Sequence, residues 1–140
     1  MDARAYLLPA AAMVLLTFAV WLRLFLTRIP EMKRERIHPQ SVALSAQAAS
    51  KFRDTRAADN FRNLFELPVL FYLALWAGHA LAIAGPAYFA LAWAFVALRI
   101  IHSVIHCGYN KVLHRFYAYA AGGWALWALW AVVAWHAWLR

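Results

Sequence analysis

Apolar positions run through this chain in long blocks, and polar positions gather in the stretches between them. The first block, Tyr6 to Leu26, holds one charged residue, Arg23. A bilayer core of ~30 Å needs about 20 helical residues, so this block is long enough to span one. It is too long for the apolar region of a signal peptide, and no convincing small-residue cleavage site follows it. From Leu67 to Leu98 there is no Asp, Glu, Lys or Arg. A single helix of that length would overrun a bilayer, and Gly85-Pro86 disfavours helix and suits a tight turn. The stretch therefore predicts two spans, roughly 64–84 and 87–107, and a last one covers roughly 116–138, up to Arg140. The predicted fold class is all-α: an integral membrane four-helix bundle in a single domain, 1–140, crossing the bilayer four times.

Composition supports this pattern. Hydrophobic residues make up 66% of the chain and charged ones 14%, against about 25% charged in soluble domains. Too few polar residues remain to coat a soluble protein. The formal charge of +8 would suit nucleic acid, but the basic residues sit where loops are predicted, as the positive-inside rule expects, so no nucleic-acid partner is expected. Residues 27–60 carry Arg28, Lys33, Arg34, Arg36, Lys51, Arg53 and Arg56, and residues 108–115 carry Lys111 and Arg115, whereas the Gly85-Pro86 turn is uncharged. This bias puts both basic loops in the cytoplasm and both termini outside. Pro30 and Pro39 interrupt the start of the long loop, and Ser41 to Phe61 has only weak helical periodicity. Cys107 is the one cysteine, so no disulfide forms within the chain, and it reads as a small packing residue. Trp124, Trp127, Trp135 and Trp138 fall near one face of the last span, a pattern that packing and interfacial anchoring explain.

The ionisable residues inside the spans carry the chemistry. A charge at the bilayer centre costs roughly 2.5–3.5 kcal/mol on insertion scales, so such residues usually face the bundle interior. The second span opens with Arg62, Asn63 and Glu66; the third carries Arg99, His102 and His106; the fourth begins beside His114 and Arg115. Arg99, His102 and His106 share one helical face, and the topology brings all three groups to the cytoplasmic boundary. Glu66 could pair with Arg62 or with Arg99, Asn63 could bridge helices, the histidines could be satisfied by backbone or water, and Arg115 could be no more than a positive-inside residue. Taken together the cluster has an excess of positive charge, which suits an anion, and arginine offers forked donors to carboxylates. His102, His106 and Glu66 have metal-ligand chemistry, but the adjacent arginines repel a cation, and no metal is expected.

These residues carry a resemblance to a known family. Asn63-Leu-Phe-Glu66 followed by Pro68 and Phe71 resembles the start of helix 2 in the MAPEG family, the membrane-associated proteins in eicosanoid and glutathione metabolism. Arg99-Ile-Ile-His102 with Arg115 downstream resembles that family's helix 3 motif and the arginine that heads helix 4. The resemblance covers nearly the whole chain, and the strings Asn60–Tyr72 and Leu98–Phe116 look like a bacterial branch. It implies a homotrimer of four-helix protomers with glutathione bound between subunits near the cytoplasmic side. Asn63, Glu66, Arg99 and His102 match glutathione-contacting positions, and Arg62 matches a contacting arginine in some members. Arg115 matches the arginine that stabilises the thiolate, and His106 stands where many members have a tyrosine near the thiol. The resemblance thus implies a glutathione-dependent transferase or peroxidase acting on a lipophilic electrophile or hydroperoxide, with Arg115 and His106 as catalytic candidates. The implied setting is a bacterial inner membrane with the termini periplasmic. The alternative is a non-catalytic bundle that binds a lipid or small anion, or a scaffold for other membrane proteins.

Overall fold

The computed structural model describes residues 2–139; Met1 and Arg140 lie outside the described residues, as does the end of the last span expected at Arg140. The described residues form helices α1 (Arg4–Arg34), α2 (Ser45–Lys51), α3 (Arg56–Asn63), α4 (Leu67–Ala80), α5 (Pro86–Cys107) and α6 (Val112–Trp138), with a short 3₁₀ turn at Pro39–Val42. Three of them, α1, α5 and α6, are long and apolar enough to cross a membrane. The helices alternate in direction. Tyr6 donates from its hydroxyl to the Ile83 carbonyl (2.6 Å), at the end where α4 turns into α5. Arg23 donates to the Cys107 carbonyl (2.7 Å), at the opposite end.

The second expected span, roughly 64–84, holds one helix that is shorter than expected. Helix α3 ends at Asn63, Leu64–Glu66 turn, and α4 begins at Leu67. Pro68 explains the break: it has no N–H to donate to the Leu64 carbonyl, and its ring would clash there. Fourteen residues of α4 cover about 21 Å, short of a ~30 Å core. Together with the turns that flank it, α4 joins the same two ends that α1, α5 and α6 join. The first helix differs in the other direction. It starts at Arg4 and runs through Pro30 to Arg34, so Pro30 lies inside it and does not start the loop. Helix α6 begins at Val112, which puts Arg115 in its first turns.

Gly85-Pro86 does separate the two central helices, with Gly85 extended (φ −72°) and Pro86 the first residue of α5, where a fixed φ and a missing N–H cost nothing. The reversal itself lies earlier, at Ala82, whose φ is 51°. The Ile83 N–H donates to Gly78 and the Ala82 N–H to His79, a Schellman ending with alanine at the position that favours glycine. Ala82→Gly is expected to stabilise the protein by about 1 kcal/mol. Thermal unfolding in detergent checks this: an unchanged or lowered midpoint would contradict it.

The core runs along the bundle through Met13, Phe71, Tyr88, Phe95, Leu126 and Leu129, all fully buried, with Phe71 stacked on Phe95 at 4.5 Å. Trp124, Trp127, Trp135 and Trp138 are exposed, as are Leu15, Phe18 and Trp76. Such a belt of bare aromatic and aliphatic side chains suits contact with lipid.

Candidate functional site

The end of the bundle opposite Gly85-Pro86 gathers the polar side chains. Arg99, His102 and His106 share the inner face of α5, as their spacing predicts, and are 1%, 3% and 4% exposed. They are covered within the protomer, because α6 approaches closely at Gly122, where an added Cβ would sit 3.6 Å from Leu98.

Arg99 is under-satisfied. Its guanidinium lies 4.7 Å from the Tyr119 ring and 5.3 Å from the Phe95 ring. Nη1 donates to Asn63 Oδ1 at 3.5 Å, a long bond, and the buried Nε and Nη2 have no partner among the described residues. Cation–π contact contributes only about 0.5–2 kcal/mol, whereas buried donors left unpaired are costly. His102 contacts the Arg115 carbonyl through Nδ1 at 3.1 Å, and its Nε2 is buried without a partner. His106 lies edge-on to His102, and its Nδ1 is also unpartnered. Beside them opens a pocket of about 240 Å³ lined by Asn63, His102, His106, Arg115, Phe116 and Tyr119, among others. The side chain of Arg115 donates to Asn110 Oδ1 at 2.8 Å, which holds the guanidinium at the pocket.

Two expected members stand apart. Arg62 is exposed and pairs with Asp59 at 3.7 Å, not with Glu66. Glu66 is exposed and makes no ion pair among the described residues, so neither pairing expected for it is present. The cause is the break before α4. Helical spacing from residue 62 to residue 66 is lost once α3 ends at Asn63. Among the described residues no three His, Cys, Asp or Glu side chains converge as metal ligands, so Glu66 does not join the two histidines.

A second polar group lies behind the first. Asn60 is fully buried, donates to Cys107 Sγ at 3.4 Å and accepts from Ser103 Oγ at 3.3 Å. Arg56 donates to the Gly108 carbonyl and forms a forked pair with Asp54, both bonds at 2.8 Å. The Arg56 guanidinium thereby holds the Asp54 carboxyl below its ordinary range. With Arg23 on the Cys107 carbonyl, two arginines cap the C-terminal end of α5, where the helix dipole favours cations. The sequence pattern does not single out Asn60 or Ser103, and it reads Cys107 as packing alone. The available signal was an Asn one turn before Asn63 and a Ser one turn before Cys107, each able to face a neighbouring helix.

The model of the MAPEG family matches residues 6–135. No curated protein matches the chain, and no solved structure matches it.

Proposed function

The chain belongs to the MAPEG family, a family that includes glutathione transferases and peroxidases, and from that premise we propose that it is a glutathione-dependent membrane enzyme of this kind. The observation that carries the reading is the buried, under-partnered Arg99, His102 and His106 beside a polar pocket that Arg115 also lines. A cluster with unpaired cationic donors suits an anionic ligand. Glutathione offers two carboxylates, one ammonium and a thiol. In this reading Arg62, Asn63 and Arg99 hold the carboxylates and the peptide, His102 contacts glutathione beside its thiol, Glu66, which makes no ion pair among the described residues, takes the ammonium, and Arg115 stabilises the thiolate. The thiolate then attacks a lipophilic electrophile and forms a sulfur–carbon bond. On a hydroperoxide it takes the distal oxygen, an alcohol leaves, and a second glutathione reduces the sulfenic acid to a disulfide and water.

The assembly proposed is a homotrimer in a bacterial inner membrane, with the helical bundle crossing the bilayer four times through α1, α4, α5 and α6. Glutathione resin tests the functional reading. Purified protein in mild detergent is expected to be retained and to elute with free glutathione. Elution by any small anion alike would favour the rival reading, a bundle that binds lipid headgroups or small anions without catalysis. The orientation proposed puts residues 27–60 and 108–115 in the cytoplasm. Cysteine placed at Ser41 is expected to resist an impermeant reagent in intact cells, and cysteine placed at Ala87 to react, both in a Cys107→Ser background. Labelling at residue 41 would reverse the orientation.

A further inference from the structure

Resting on the glutathione reading above, we infer that the His102–His106 imidazole pair takes the proton of the glutathione thiol and keeps it inside the protein while the sulfur is charged. The carbonyl of Arg115 can only accept a hydrogen bond, and it lies 3.1 Å from His102 Nδ1. Nδ1 therefore carries the hydrogen, and Nε2 of the neutral ring is a bare acceptor. That Nε2 is buried and unpartnered. The His106 ring stands perpendicular to it, with centroids 5.4 Å apart, and His106 Nδ1 is a second buried nitrogen without a partner. Buried polar atoms are nearly always hydrogen-bonded, so two orphans on adjoining rings point to a function.

The other groups lining the pocket cannot take the proton. Of the polar groups lining it, the Asn63 amide is not basic, the Arg115 guanidinium offers donors and no acceptor, and Tyr119 contributes a hydroxyl, which is no base. No carboxylate lines the pocket among the described residues. Only the two imidazoles can accept a proton there. The charged groups that act on them are Arg99 on their own helix, Arg115 on α6 and Asp59 on α3, so a proton taken up is opposed by two cations and needs the thiolate beside it. The step balances without redox change: the S–H bond breaks, an N–H bond forms, and thiolate and imidazolium arise together. Arg115 and the imidazoles then divide the work, since one stabilises the charge on sulfur while the others hold the proton for the alkoxide or leaving group of the product.

The test counts protons. Glutathione is mixed with the purified, full-length protein in a weakly buffered detergent solution near neutral pH. Thiolate is read by ultraviolet absorbance and released protons by an indicator dye. The pair predicts fewer than about half a proton released per thiolate formed. His106→Tyr, which keeps a ring and a donor but no basic nitrogen, and His102→Asn, which keeps a donor near the Arg115 carbonyl, are each expected to raise the count to about one. About one proton per thiolate in the parent protein would overturn the inference and leave the glutathione reading standing. A low count that neither variant changes would overturn it too, because the acceptor would then lie elsewhere. No thiolate in the parent would overturn both.

Discussion

Replacing Arg115 by alanine is expected to leave glutathione bound but to slow the reaction at pH 7 by about 25-fold. A neighbouring guanidinium that lowers a thiol from its ordinary pKa of ~8.5 to ~6.5 contributes about 2.7 kcal/mol. At pH 7 the thiolate fraction is then roughly three quarters with the arginine and a few per cent without it. The deficit grows toward about a hundredfold below pH 6 and closes above about pH 9, where both thiols are ionised. The substitution spares the fold of the site, because His102 is held by the backbone carbonyl of residue 115 and not by its side chain. Glu66→Gln is expected to do the reverse. Glu66 makes no ion pair among the described residues, so its loss strands no arginine, but it removes the proposed ammonium partner. Binding should weaken about 10-fold or more, with the bound thiol's pKa unchanged. Rates and binding measured across pH in the two variants separate these roles. A thiol equally acidic with and without Arg115 would refute the assignment to that residue.

The largest expected effect on stability is at Gly78. Tyr88 is fully buried and donates to the Ala74 carbonyl at 2.8 Å, which places its hydroxyl against the α-carbon of Gly78. A Cβ on residue 78 would fall on that hydroxyl and on the ring carbon bearing it. The ring cannot swing aside freely, since Tyr6 and Phe89 pack on it at 6.1 and 5.2 Å. Gly78→Ala should therefore cost about 2–4 kcal/mol, from overpacking and from loss of a buried hydrogen bond. Small residues let membrane helices approach this closely, so the α4–α5 hairpin depends on this glycine. Unfolding in detergent measures the cost. The double variant Gly78→Ala/Tyr88→Leu is expected to lose less than the sum of the single variants, because the clash belongs to the pair. Additive losses would show that the two residues do not meet.

Much of the fold follows from apolar block length, because a ~30 Å core sets a minimum helix length that α1, α5 and α6 satisfy. The face shared by Arg99, His102 and His106 is legible for a similar reason: α5 is regular, so spacing alone fixes which side chains meet. Legibility stops where regularity stops. Pro68 delays the start of α4 to Leu67 and parts it from α3, and the pairing read from Arg62 to Glu66 as one helical turn is lost with that break. The burial of Arg99 inside one protomer depends on how closely α6 comes at Gly122, a tertiary fact that no local pattern encodes. Asn60, Ser103 and Cys107 are ordinary residues one by one and become a network only when α3 packs on α5. Arg56 reads as one loop charge among several, yet it reaches the Gly108 carbonyl and steadies the end of the helix that carries both histidines.

Activation of glutathione as a thiolate in the polar pocket is the step on which the proposed chemistry depends. The direct measurement is the ultraviolet thiolate absorbance of the purified protein, saturated with glutathione, followed across pH. A bound thiol titrating about two pH units below the free one, near 6.5, is the predicted result. A bound thiol no more acidic than free glutathione would contradict the account, since the pocket would then lend the sulfur no charge stabilisation at all.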